Sequence, residues 1–146
     1  MSIFMAHQGS GDDSQLWYNT FNGENWGGDQ QVPNTGMSES PSAVLYGDQL
    51  YIFHQGTGDD GQLWYNTSVD GKTWVGDRQV PNLGMSASPS AVVGADGALY
   101  VFHQGSGDDG QLWYNTFDGA TWAGDQQVQN VGMSANPSAV PWIGRP

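Results

Sequence analysis

LYIFHQGTGDDGQLWYNT, running from Leu50 to Thr67, decides the fold. Leu50–Gln55 is aromatic and β-branched and reads as a strand, and the Gly-Thr-Gly-Asp-Asp-Gly that follows turns the chain. Gln62–Thr67 reads as a second strand, with Leu63 and Tyr65 on one face and Trp64 on the other. Downstream, Asp70-Gly71 is a hairpin signal that leads into a third strand around Thr73–Val80. Pro81-Asn82 and the Gly84/Ser86 cluster break the chain, and PSAVV (Pro89–Val93) makes a short fourth strand of small residues. No stretch carries the 3.6-residue period of a helix, so the chain reads as all-β.

The stretch is not unique. His7 opens HQGSGDDSQLWYNT, His54 HQGTGDDGQLWYNT and His103 HQGSGDDGQLWYNT, spaced by 47 and 49 residues. PSAV recurs at Pro41, Pro89 and Pro137, and GMS at Gly36, Gly84 and Gly132, both at intervals of 48. The chain is one domain of three repeats, about 1–46, 47–94 and 95–146. Four short antiparallel strands per repeat of this length is the pattern of a β-propeller blade. Small side chains in the PSAV strand suit the crowded axis of such a ring, and the aromatic strands fill the wider space between blades.

The strands are permuted. The chain opens on a strand of the Leu50–Gln55 type (Ser2–Gln8) and ends on an innermost strand, so 137–142 is expected to complete the blade begun at 2–8, in the same chain or a neighbour. Three blades do not close a ring that typically takes about 4–8, and an open edge leaves unpaired strand. A two-fold dimer with six blades is the economical closure, and a nine-bladed trimer is the larger one. The rival architecture is a three-repeat β-trefoil, which closes as a monomer and whose sugar-binding members carry Gln-x-Trp, as in Gln15-Leu16-Trp17.

Composition excludes several partners. Lys and Arg number 3 against 15 Asp and Glu, for a net charge of −12. Nucleic acid and anionic membranes both need a basic surface, so neither is expected as a partner. There is no cysteine, hence no disulfide and no thiolate chemistry. The N-terminal MSIFMAHQGSGDDS lacks the basic and apolar regions of a signal peptide. The expectation is therefore a cytoplasmic chain, or one released by a non-classical route.

GQLWYNTFDGATWAGDQQV and SASPSAVVGADGALYVFHQG resemble the repeats of bacterial propeller lectins of the Photorhabdus type, a likeness that covers all three repeats. Ser68-Val69-Asp70-Gly71-Lys72-Thr73-Trp74 also resembles the Asp-box hairpin of sialidases, one residue shorter, which serves there as a structural turn. The resemblance implies a non-enzymatic, multivalent sugar binder, with fucose- or galactose-type glycans as partners. The chain departs from the family in having three repeats where those lectins have a full ring.

Repeats can be compared inside this one sequence. GSGDDS, GTGDDG, GSGDDG and PNTGMSES, PNLGMSAS, QNVGMSAN are nearly alike, and in a four-strand meander these turns share a rim. The turns of the opposite rim vary: FNGEN, SVDGKT and FDGAT, then YGDQ and GADG. Sameness on one rim points to a repeated binding surface there. His7, His54 and His103 end a strand at that rim, as sugar hydrogen-bond partners or as packed residues bonded to a neighbouring turn. In Asp12-Asp13, Asp59-Asp60 and Asp108-Asp109, one carboxylate is expected to cap its own turn and the other to face ligand, since a carboxylate accepts two hydroxyls at once. Trp17, Trp64 and Trp113 offer flat rings for a sugar face. Trp26, Trp74 and Trp122 follow the hairpins and are expected to seal blade edges.

One histidine per repeat lacks the short spacing of a zinc site, and the turn oxygens are too few for calcium. No metal or cofactor is expected. Neither is catalysis, because the repeats present the same residues three times rather than distinct residues in distinct roles. A sialidase would need an arginine cluster, and only Arg78 and Arg145 are present. A propeller serving structure or protein interaction remains the alternative to a lectin.

Overall fold

The computed structural model describes residues 2–142 and 144, and every regular element among them is a β-strand. The first sheet comprises β1 (Ile3–Gln8), β2 (Gln15–Phe21) and β3 (Gln30–Gly36). β4 (Ser38–Tyr46), β5 (Gln49–Gln55), β6 (Leu63–Ser68) and β7 (Arg78–Gln79) form the second. β8 (Ser86–Val93), β9 (Leu99–Gln104), β10 (Gln111–Phe117) and β11 (Gln126–Gly132) form the third. Each is an antiparallel meander in sequence order, of three, four and four strands. In the first, β1 pairs with β2 alone among the described residues and presents an open edge.

Period-two alternation assigns the faces. Phe4, Leu16, Tyr18, Val32 and Met37 of the first sheet pack against Ile52 and Trp74 of the second. Tyr51, Phe53, Leu63, Tyr65, Val80 and Met85 of the second pack against Leu99, Val101 and Trp122 of the third. The core thus lies between sheets, in two layers built from the same positions. Trp74 sits 5.9 Å from the Phe4 ring and 5.6 Å from Tyr18, and Trp122 sits 6.0 Å from Phe53 and 5.9 Å from Tyr65. These tryptophans join one sheet to the one before it.

β4 and β8 lie side by side, and residues 136–139 repeat the arrangement beyond β8. Ser40 N–H donates to Ser88 Oγ (2.9 Å) and Ser88 N–H to Asn136 Oδ1 (2.8 Å). Ala91 N–H donates to Ser42 Oγ and Ala139 N–H to Ser90 Oγ, each at 2.9 Å. Small residues permit this approach, because a larger side chain at Ser42 or Ser90 would hold the neighbouring backbone away.

Three sequence expectations need correction. The third strand of the middle repeat pairs only at Arg78–Gln79, not from Thr73. Gly76, at φ 121°, throws the chain outward, and Asn66 Oδ1 takes its N–H instead. Pro81-Asn82 breaks the chain as expected, but its counterpart Pro33-Asn34 does not end a strand. It lies within β3, where Asn34 at φ 57° forms a bulge and the ladder resumes at Gln15–Gly36. The third PSAV, Pro137–Val140, forms no strand, because β8 beside it bonds through side chains and no described strand supplies a backbone ladder.

The shortened Asp-box does form a turn. Asp70 Oδ1 accepts the N–H groups of Lys72 (2.8 Å) and Thr73 (2.7 Å), and Ser68 Oγ accepts that of Gly71 (2.8 Å). These bonds hold the Asp70 carboxyl down at about 2, that from Thr73 contributing most.

Candidate functional site

The Gly-Asp-Asp turns divide their two carboxylates between two tasks. Asp13, Asp60 and Asp109 fold back onto the chain: Oδ1 of each accepts the N–H of Gln15, Gln62 or Gln111, at 2.9, 2.9 and 2.8 Å. Their carboxylates lie against Gly9, Gly56 and Gly105, where any Cβ would collide with them, which is why glycine follows His-Gln in every copy. The second oxygen of each accepts an indole N–H, from Trp17 (2.9 Å), Trp64 (3.0 Å) and Trp113 (3.1 Å). Each ring is thereby locked in plane at the sheet margin, half-buried. Asp13 is held below the ordinary carboxylate range, chiefly by the Gln15 N–H, then by the Trp17 indole.

Asp12, Asp59 and Asp108 adopt left-handed backbone, φ 50–52°, and stay exposed. Asp12 accepts one bond from Gln8 Nε2 at 3.0 Å. Asp12 and Asp59 border a cavity of about 790 Å³ with Gln8, Ser38, Glu39 and Ser40, on the flank of β4 next to the open β1 edge. The equivalent corner of the third sheet joins Asp108 and Gln104 to Glu39, Ala87 and Asn136 around about 410 Å³.

Trp64 and Asp60 border a different space. A pocket of about 220 Å³ opens where the first sheet meets the second, lined by Gly36, Gly56, Thr57, Asp60, Trp64 and Asp77. Gly36 approaches Thr57 so closely that a Cβ would meet its hydroxyl, and a Cβ on Gly84 would stand 3.1 Å from that of Ser106. The two aspartates of the middle turn therefore face different cavities, Asp59 toward β4 and Asp60 toward the joint between sheets.

The histidines are committed inside the protein. His54 and His103 are fully buried. Nδ1 of each lies 3.0 and 2.8 Å from the carbonyl of the next residue, and Nε2 2.9 Å from Asp77 or Asp125. Of the two roles the sequence allowed, His54 and His103 take the packed one bonded to a neighbouring turn, with both ring nitrogens occupied. His7 makes the same bonds, to Gln8 O and Asp29, but its side chain keeps 33% of its exposure. Both partners accept, so the ring satisfies both only as imidazolium. The Asp29 bond is the main cause of its raised pKa, and the Gln8 carbonyl adds to it.

Asp29, Asp77 and Asp125 escaped the sequence reading, although a Gly-Asp two residues beyond the Trp of each hairpin recurs in WGGDQQV, WVGDRQV and WAGDQQV. On the opposite rim a groove of about 660 Å³ is walled by Phe4, Tyr18, Leu45, Val69 and Lys72. Among the described residues no three His, Cys, Asp or Glu converge to hold a metal ion.

No protein-family model and no curated protein matches the chain. Among solved structures, a fucose lectin from Kordia zhangzhouensis in complex with methyl-fucoside is similar at a TM-score of 0.61 and 12% identity, over 89% of this chain and 91% of that one. At that identity the likeness is one of architecture, and the fold is the one that bacterial fucose lectin has.

Proposed function

We propose that the chain is a carbohydrate-binding lectin, without catalysis, whose sheets are propeller blades and whose sugar sites lie at the joints between them. The observation that carries the reading is the Asp–Trp pair repeated in every sheet, the indole fixed by a carboxylate and, at the first joint, lining a pocket. A rigid aromatic takes the apolar face of a sugar ring without losing rotamer freedom. At the first joint Thr57 and Asp77 supply hydroxyl and carboxylate next to Trp64, in a volume of about 220 Å³, roughly seven waters at about 30 Å³ each. That suits one monosaccharide. The architecture shared with a fucose lectin, solved with methyl-fucoside, supports a fucose-type ligand.

In this reading Asp12, Asp59 and Asp108 contribute from the neighbouring cavity. His7, His54 and His103 act as positioning residues that fix Asp29, Asp77 and Asp125. Two chains close a six-bladed ring, with 137–142 of each completing the blade begun at 2–8 of the other. The open β1 edge and the unladdered PSAV support that closure. Separate meanders with no shared ladder fit blades rather than the single barrel of a trefoil.

Calorimetry with methyl-fucoside, galactose, N-acetylglucosamine and mannose tests the reading, together with a glycan array. Binding is expected from at least one, abolished when Trp17, Trp64 and Trp113 are all changed to Ala. Changing Asp12, Asp59 and Asp108 to Ala should weaken it about tenfold or more, since a hydrogen bond to a charged group contributes about 1.5–3 kcal/mol. No heat at millimolar sugar and a blank array would leave the structural or protein-interaction propeller as the better reading.

A further inference from the structure

We infer that the third pocket of each chain is built across the joint between two copies, with Gly132 of one chain closing over Ser10 and Trp17 of the next. The inference rests on the lectin reading for what the pocket holds, but its geometry stands on the repeats alone.

Each complete joint has three parts. A glycine from one sheet meets a hydroxyl residue of the next, as Gly36 meets Thr57 and Gly84 meets Ser106. A tryptophan from the following sheet lies on an aromatic stack of the preceding one, Trp74 on Phe4 and Tyr18, Trp122 on Phe53 and Tyr65. A strand of small residues pairs in fixed register with the β-strand after it, Ser38 opposite Gln55 and Ser86 opposite Gln104.

Both halves of a third such joint are present in the chain, unassembled and at opposite ends. Gly132 has nothing within 4 Å of the position its Cβ would take. The stack of Phe102 on Tyr114, 5.7 Å apart, carries no tryptophan. Ser134 and Ser138 stand ready as a small-residue strand without a ladder. At the other end Trp26 is 53% exposed, Met5 38% and Ile3 54%, whereas at these strand positions elsewhere Ile52, Leu99 and Val101 are fully buried and Leu50 half-buried. Ser10 holds the place of Thr57 and Ser106.

The chain cannot join these halves itself, because β4 and β8 stand between residues 136–139 and the β1 edge. A second copy fits every position at once. The register then sets Ser134 opposite Gln8 and Ser138 opposite Ala6. Ser134 Oγ donates to Gly9 O, as Ser38 Oγ does to Gly56 O (2.6 Å) and Ser86 Oγ to Gly105 O (2.7 Å). Trp26 covers Phe102 and Tyr114. The partner's Asp13 and Trp17 then wall a pocket whose floor is Gly132, as Asp60 and Trp64 do beside Gly36, so an isolated chain has two complete joints and a chain in the ring has three.

Two readouts separate the joint from its ligand. The chain has no cysteine, so a double variant Ser10→Cys, Gly132→Cys reports one contact. A Cβ at Gly36 would lie 3.6 Å from that of Thr57, within the roughly 3.5–4.5 Å of a disulfide. The variant is expected to oxidise to a covalent species of twice 15.7 kDa at micromolar concentration. The matching pair Gly36→Cys, Thr57→Cys should oxidise within one chain and shows that the geometry tolerates the bond. A monomer-sized product from the first pair while the second closes would overturn the inference.

Methyl-fucoside calorimetry on wild type and Gly132→Trp gives the second readout: three sites per chain falling to two. Three sites retained with Gly132→Trp would also overturn it. A covalent dimer whose wild type gives no heat, by contrast, would keep the joint and discard the sugar.

Discussion

Ile52 and His54 on β5 are sealed from solvent, while Met5 and His7, at the same places on β1, are open. The two strands carry nearly one sequence pattern and the same hydrogen bonds from the histidine ring. They differ in what lies across from them. The Ile52/His54 side of β5 faces Leu16, Val32 and Met37, and the Met5/His7 side of β1 faces no sheet among the described residues. The third sheet shows the mirror image: Leu112, Val128 and Met133 are half-buried where Leu63, Val80 and Met85 are sealed. Burial in this protein is therefore set by the neighbouring sheet.

Removing residues 137–146 is the most severe way to break that comparison. The shortened chain loses the segment proposed to complete the next copy's first sheet, while both internal joints keep their residues. Light scattering is expected to give twice 15.7 kDa for the whole chain and a single chain mass, or aggregate, after truncation. An unchanged mass would mean that the open β1 edge is not where copies meet.

Two tryptophans sharpen it with a smaller effect. Trp74→Ala empties a layer inside one chain and should lower thermal stability at every concentration, by about 2–3 kcal/mol. That is somewhat below the roughly 3–5 of a fully buried aromatic, because Trp74 is only half-buried. Trp26 has Phe21, 5.0 Å away, as its one aromatic neighbour among the described residues, and is 53% exposed. Trp26→Ala should act through association, so its Tm should fall on dilution more steeply than the wild type's. Equal, concentration-independent losses from both would remove the distinction between inner and outer joints.

The sequence made the strands legible because each has both a period of two and a repeated copy to confirm its limits: Leu50–Gln55 against β5 and Gln62–Thr67 against β6 fall within a residue of each other. It misled where equivalent turns differ: β3 runs through Pro33-Asn34 while the chain breaks at Pro81-Asn82, although both asparagines have φ 57°. The division of each Asp pair was legible from turn chemistry, since one carboxylate must satisfy the turn's N–H groups. The burial of His54 and His103 was not, because it depends on Asp77 and Asp125 more than twenty residues away. A further example is Asn115, whose Nδ2 is buried without a partner. Its counterpart Asn66 donates to Thr35 Oγ1 at 3.1 Å, but the place of Thr35 in the next repeat is held by Leu83, which accepts nothing.

The smallest effect compares two hairpins that differ by one charge. Asn22 and Asp70 occupy the same turn position. Asn22 Oδ1 accepts the N–H groups of Glu24 and Asn25, each at 2.8 Å, as Asp70 Oδ1 accepts those of Lys72 and Thr73. Only the aspartate titrates. Its carboxyl falls from the usual 3.8 to about 2 in the folded chain, through the Thr73 and Lys72 N–H groups. A lowered pKa in the folded state means that Asp70 adds stability which is fully present above 3.8 and is lost as pH falls toward 2. Asp118 in the third hairpin is shifted in the same direction by Thr121 and Ala120. Replacing both, Asp70→Asn and Asp118→Asn, makes all three hairpins alike. Melting curves between pH 2 and 5 should then fall less steeply with acid than the wild type's, with Tm at pH 7 shifted by a degree or two at most because the amide oxygen still accepts both bonds. An acid slope identical to wild type would locate the chain's acid sensitivity elsewhere, with the Asp–Trp pairs of the opposite rim as the next carboxylates to change.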